Sequence, residues 1–558
     1  MTIISSGQVQ TVSSGQNIGG TLLLWSGIQD VLKGGVTRLT VVSSGGYQEV
    51  ERGGLAVGTT LSFGGVQAVS GTASNTIILQ GGEEDVLKNG LAVKTVVSSG
   101  AVQGVLSAGS ATAANVLAGG EQFVRGSGSV AVGTVVDGGG YSQVDSGGKV
   151  VGTTVLSGGQ LVVVATATGS GTTLGGFETV LGKTSGTRVL NGGGELVSAG
   201  GFTSGTTLSG KGQGLFGSFA AYEELESGAQ ANGTTVGSGG WQLVDAGGIA
   251  SGTVVLSGGF IQIAGGTKVT KVTLDSGATE VLVDGASVSG IAIGKGITLA
   301  VEHVPTGGGA FEPDAYATNV TISAGGTLVN VGGIVTGEKI LSGGVEEEIY
   351  GGVVSGLSIG NGATLITSSG GIAEDITVKS GGTFVYAQAG SATNITVASG
   401  GIEAVGTGAE VDGFTIGKGV TLIVRSGAAV GSPTIDGGTV IVSSGATTSG
   451  AVTFSGSGEL MLSGGNKPAA AVSGFAAGDT IDLASFAFGA SEKLTFTAKG
   501  SSGGTLTVTD GSLKATIALF GQYTAAGFHD HRDRAGSTAI TYSATAAETS
   551  STILGGHG

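Results

Sequence analysis

VVSSGGYQEVERGGLAVGTTLSFGG, residues 41–65, is the stretch that decides the fold of this chain. Three glycine pairs, Gly45–Gly46, Gly53–Gly54 and Gly64–Gly65, cut it into short segments such as YQEV and TTLS. Each segment alternates sides as a β-strand does, and so presents an apolar stripe on one face. Glycine pairs suit sharp turns, because glycine enters the left-handed backbone region without a Cβ clash.

Working outward, the same grammar repeats. Gln10, Gln29, Gln48, Gln67, Glu84, Gln103 and Gln122 follow one another at steps of 19, 19, 19, 17, 19 and 19 residues. Two residues after each stands a valine: Val12, Val31, Val50, Val69, Val86, Val105 and Val124. A second column, Thr40, Thr59, Thr76, Thr95 and Ala114, keeps the same steps, and later copies include GGFETV (175–180), GGWQLV (239–244) and GGIEAV (400–405). One copy cannot bury its own apolar stripe, but stacked copies make a continuous ladder, so the period predicts a parallel β-solenoid. Residues 1–465 are expected to form it, at roughly 24 rungs and on the order of 115 Å from strand spacing. Its open ends call for caps. The glutamines share strand parity with the valines. Either they stack amide on amide inside the solenoid, or they border a turn and stay half solvated.

Composition agrees with this reading. Glycine supplies 117 of 558 residues, only four prolines occur, and charged residues are 11% of the chain. Glycine without a G-X-Y period excludes collagen, and the many β-branched residues argue against disorder. A net charge of −16 with no basic run makes nucleic acid an unsuitable partner. The absence of cysteine removes disulfides and thiolate metal sites. No apolar run approaches the ~18 residues of a membrane-spanning helix, so no membrane insertion is expected. The opening MTIISSGQVQTVSSG has neither the basic nor the apolar region of a secretory signal.

Two segments interrupt the period. GKGQGLFGSFAAYEELE (210–226) clusters Phe216, Phe219 and Tyr222, and EHVPTGGGAFEPDAYAT (302–318) holds Phe311 and two of the prolines. Insertions in solenoids map to loops on one face, which makes these four aromatics the candidate binding anchors.

On these residues the chain resembles the strand-loop-strand repeat of AIDA-type autotransporter passengers, over about four-fifths of its length. The resemblance implies a right-handed parallel β-helix, display outside a Gram-negative cell, adhesion or aggregation, and O-linked heptose on serine. The paired serines before the turns, Ser43 and Ser44, Ser98 and Ser99, Ser368 and Ser369, Ser443 and Ser444, would then be acceptors for an O-glycosyltransferase. Residues 466–558 are too few for an outer-membrane barrel. Instead GDTIDLASFAFG (478–489) and GGTLTVTDGSLKATIALFGQYTAAGF (503–528) resemble the tail of type I secretion substrates. That resemblance implies a small C-terminal β domain for capping or export and a type I exporter as partner.

Chemistry is sparse. Glu178 and Glu195 stand in the glutamine column one short rung apart, and are read as glutamate replacing glutamine on a solvated edge. Glu346, Glu347 and Glu348 are read as a solvated bulge. FHDHRDR (528–534) brings His529 and His531 to one face of an extended segment, too few ligands for a metal centre. No nucleophile motif or phosphate loop stands out from the glycine background. The expectation is therefore a non-enzymatic structural or adhesive rod without cofactor, extracellular or on a bacterial surface, that associates with itself or with cell-surface glycans. The alternative is a β-helix enzyme acting on polysaccharide, or a tailspike-like glycan binder.

Overall fold

The computed structural model describes residues 2–211, 220–303, 314–464 and 471–544. They are almost wholly β, in two compact units, Met1–Ala286 and Ser287–Gly558. The predicted β-solenoid is present, with parallel in-register rungs at the expected period of about 19 residues.

In the first unit each turn of the solenoid consists of three short strands. In residues 41–65 they are Val41–Val42, Tyr47–Val50 and Leu55–Val57. Each pairs in register with its equivalents one turn away, so Gln48 lies opposite both Gln29 and Gln67, and Val50 opposite Val31 and Val69. The two-residue strands form a sheet of 15 running from Thr2–Ile4 to Thr273–Leu274. A second sheet of 14 runs from Asn17–Gly19 to Lys268–Thr270. The four-residue strands between them carry the glutamine column.

Three apolar columns fill the interior. Val12 to Val124 from the four-residue strands, Leu23, Val42, Leu61, Ile78, Val97 and Val116 from the first sheet, and Ala56, Ala73, Ala92 and Ala111 from the second are all buried. Three inward stripes facing one another bury what a single strand cannot. The glycine pairs divide their work. Gly53 takes φ 84, and a Cβ on Gly54 would collide with the Val31 carbonyl oxygen of the preceding turn. The 17-residue step from Gln67 to Glu84 loses two residues from a turn and none from a strand. Thr72–Ser74 therefore still pairs in register with Leu55–Val57.

The strand that follows the first interruption keeps the register of the solenoid. Phe216 and Phe219 lie outside the described residues. Tyr222 does not sit in a loop: it belongs to the strand Ala221–Leu225, which pairs in register with Gly193–Val197 and Gly240–Val244. Its ring lies over Gly194, where a Cβ would meet it, and the side chain is half-buried.

In the second unit the central strands run from Thr298–Glu302 through Glu459–Leu462 to Thr480–Ala487, while the flanking sheets break into shorter blocks. The second interruption begins at His303, whose Nδ1 lies 2.7 Å from Asp314 Oδ1; Phe311 lies outside the described residues. Parallel pairing continues beyond residue 465, as Thr480 to Leu483 pair with Glu459 to Leu462. Further strands then cover the last turn: Ser537–Tyr542 pairs antiparallel with Thr480–Ala487, and Leu513–Phe520, antiparallel to Gly503–Asp510, pairs in parallel with Ala471–Ser473. Phe486, Leu506, Ile517, Phe528 and Ile540 continue the solenoid core into this cap. The last parallel strands, Ala471–Ser473 and Thr480–Ala487, are thereby paired rather than left as an open edge.

Candidate functional site

Of the two readings of the glutamine column, the structure selects the interior one. Gln29, Gln48, Gln67, Gln103 and Gln122 are fully buried. Nε2 of Gln29 donates to Gln10 Oε1, that of Gln48 to Gln29, and that of Gln67 to Gln48, each at 2.6 Å. Gln122 donates to Gln103 at 2.7 Å. The threonine column completes the set: Thr40 donates to Gln29 Oε1 at 3.2 Å, Thr59 to Gln48 at 3.0 Å and Thr76 to Gln67 at 3.1 Å. Gln29 and Gln48 thus each give a hydrogen to the turn before and accept two from the turn after, while Gln67 and Gln103 each give one and accept one, which meets the requirement for burying polar groups.

Glutamates occupy the same inward position, and here two expectations are overturned. Glu178 lies opposite Glu195, and Glu195 opposite Glu223, all three fully buried rather than on a solvated edge. They share the parity of the glutamines, so the closed interior takes them in. Burial pushes Glu178 up to about 8 and Glu223 upward. Glu195 is held well above the carboxylate range by burial and then by the charges of Glu223 and Glu178. Threonines still donate, Thr206 to Glu195 at 3.0 Å and Thr203 and Thr234 to Glu223 at 2.8 and 2.9 Å, but both oxygens of Glu178 lack a partner. The acidic run at 346–348 is likewise no solvated bulge. It lies in the strand Val345–Ile349 with Glu346 and Glu348 buried and Glu347 facing outward, where Ser368 donates to it at 2.9 Å. Burial raises Glu348 to about 8, and Asn330 donates to it at 2.8 Å. A carboxylic acid kept neutral by its surroundings can donate a hydrogen bond where a carboxylate cannot. Burial drives the acids of these columns toward their protonated forms.

Outside, the turn before each four-residue strand forms a second column, and here the sequence reading missed two residues. Trp25 and Phe63 stand where the neighbouring turn has Ser44, and they are 64% and 73% exposed. Both adopt left-handed backbone, φ 41 and 48, uncommon for bulky residues. Trp25 N–H donates to the Ser44 carbonyl at 3.0 Å, which places the indole one rung from Ser44; Phe63 lies one rung beyond. The signal was an aromatic in a column otherwise made of small or polar residues such as Ser44, Gln80, Ser99 and Lys295. Of the paired serines, Ser44, Ser99 and Ser369 are exposed, while Ser43, Ser98 and Ser368 are half-buried. His529 and His531 are exposed on the strand Phe528–Arg532, and His529 Nε2 lies 2.9 Å from Ser543 Oγ. Among the described residues no helix is long and apolar enough to cross a membrane.

No protein-family model matches the chain, and no curated protein matches it. Among solved structures, a hyper-glycosylated TibA fragment, modified by TibC, is 32% identical over 50% of this chain and 95% of the fragment, with a TM-score of 0.43. A tailspike protein of E. coli bacteriophage HK620 aligns at 10% identity over 93% of this chain and 84% of its own, with a TM-score of 0.13. The tailspike gp49 of Acinetobacter baumannii bacteriophage Fri1, a capsular polysaccharide depolymerase, aligns at 11% over 86% and 77%, with a TM-score of 0.10. The two tailspikes superpose too loosely to bear on function. The solenoid itself fits the AIDA-type passenger repeat that the sequence resembles.

Proposed function

We propose that this chain is an adhesive β-solenoid of the cell surface or extracellular space that associates with further copies of itself. The observation that carries this reading is the outward column in which Trp25 and Phe63 flank Ser44 one rung to either side. Large aromatics held out from a rigid wall contribute most of the energy at binding surfaces. The wall repeats at every rung, so weak contacts along it add up as avidity. Charge opposes association little, because 39 acidic residues are spread over 558 positions and are screened at physiological salt. The exposed Ser44, Ser99 and Ser369 are the acceptors this reading assigns to O-glycosylation; the TibA fragment is itself glycosylated. An intact mass equal to that of the bare chain, from protein made in its native host, removes that part.

Sedimentation of the purified protein and of the Trp25→Ser/Phe63→Ser double variant tests the rest. Self-association or coating of cells is expected for the native chain, with weakening in the variant and an unchanged β spectrum. A strictly monomeric native protein that binds no cells overturns adhesion. Turnover of a polysaccharide would put an enzyme in its place.

A further inference from the structure

In the second unit both flanking sheets break together between two successive turns. The strands Ser391–Thr393 and Thr396–Val397 end their sheets, and Glu410–Asp412 and Thr415–Gly417 begin new ones one turn later. Between these two turns only the central strands, Thr383–Tyr386 and Ile402–Val405, remain paired. The flanks splay apart around a cleft of about 360 Å³, within the size range of small-ligand sites. Asn394 and Val397 line one lip, and Phe414 and Gly417 the other.

Tyr386 and Glu403 form the floor. Glu403 occupies the inward column position, between Phe384 and Leu422, so neither neighbouring turn offers it a polar side chain there. It is buried and accepts from the Tyr386 hydroxyl at 3.3 Å. The Tyr386 ring meets Phe414 edge-on, with centroids 5.3 Å apart. No lysine, arginine or histidine lines the cleft. An acid and two aromatic rings without a counter-charge complement a positive ligand: a carboxylate supplies charge, and ring faces attract organic cations. An anion would meet no cationic side chain among the lining residues, and where Glu403 is ionised the cleft favours a cation over a neutral polyol.

We propose that this cleft binds a small organic ammonium ion, with Glu403 as the charge partner and Tyr386 and Phe414 as the aromatic walls. The site is independent of the adhesive reading, since it opens into the interior and uses none of the turn-column residues.

Calorimetric titration of the full chain with methylammonium and tetramethylammonium tests the proposal, at a pH above the value of about 7 to which burial raises Glu403. Glucose and acetate serve as neutral and anionic comparisons. Saturable one-site binding of at least one ammonium probe is expected, weakened about tenfold or more in Glu403→Gln. Gly417→Val provides a second variant, because a Cβ there enters open space and the backbone is not left-handed, so it narrows the cleft without disturbing the fold. It should weaken binding while leaving the β spectrum unchanged. The proposal is overturned if neither ammonium probe binds, if folded Gly417→Val and Glu403→Gln bind as tightly as the native chain, or if glucose binds as well as the ammonium probes.

Discussion

Gln29, Gln48 and Gln67 occupy the same inward column as Glu178, Glu195 and Glu223, yet the two runs solve different problems. Each amide carries a donor and an acceptor, so the run closes on itself, every Nε2 donating to the turn before. An ionised carboxylate has acceptors only, and three in succession offer one another nothing. The acid run is therefore compatible with a closed interior when protons are retained, which is the direction in which burial drives all three groups. Glu84 is the intermediate case. Within the amide run its Oε2 accepts from Thr95 and Gln103 at 2.8 and 2.7 Å, while Oε1, on the atom that replaces the amide nitrogen, has no partner. One isosteric exchange of NH₂ for OH turns a pH-independent column into a titrating one.

The largest expected effect comes from breaking the amide run. Gln48→Ala leaves the Gln67 amide, the Gln29 carbonyl and the Thr59 hydroxyl without their Gln48 partner and opens a cavity. It should cost about 3 kcal/mol or more. Urea unfolding followed by circular dichroism reads this, and a loss under about 1 kcal/mol would mean the ladder adds little to stability.

Next is the pH response, which sharpens the contrast. Burial raises the folded-state values of all three acids above those of the unfolded chain, so the folded protein binds more protons above the ordinary carboxylate range. The stability contributed by Glu178 is fully present below about pH 4.5 and is lost as pH rises through about 8, and that of Glu195 and Glu223 is lost in the same direction. Gln48→Glu should transfer this behaviour to the amide run, leaving the unfolding free energy near native at low pH and lowering it by about 1–3 kcal/mol at alkaline pH. A loss of equal size at both pH values would point to packing instead.

The smallest effect is the reverse exchange. Glu195→Gln restores one donor between two acids and should stabilise by about 1 kcal/mol at alkaline pH and hardly at all in acid. Hydrogen exchange of the flanking rungs locates the gain, and slower exchange confined to low pH would contradict a neutral-acid column.

Much of this fold was legible in residues 41–65. The spacing of Gln10 to Gln122 set the rung length, the glycine pairs located the turns, and the valines two residues after each glutamine identified the inward stripe. Those features are local, since they follow from strand alternation and from the conformations open to glycine. Parity also showed that the glutamines and glutamates share a face with the valines. What parity cannot show is whether that face is enclosed, because enclosure depends on two further strands of the same turn folding over it. For that reason Glu178, Glu195, Glu346 and Glu348 read as solvated acids in the sequence and are buried in the structure. Tyr222 read as a loop aromatic for a related reason: its pairing with Gly194 and Trp241 on either side, which draws it into a strand, depends on neighbouring turns. The cleft at Glu403 belongs wholly to the tertiary structure. Its turn carries the ordinary repeat, GGIEAV, and nothing there announces that the flanking strands of two successive turns part company. Rung length, turns and inward stripe are properties of one copy of the repeat, whereas burial, proton retention and the cleft are properties of how successive copies close on one another.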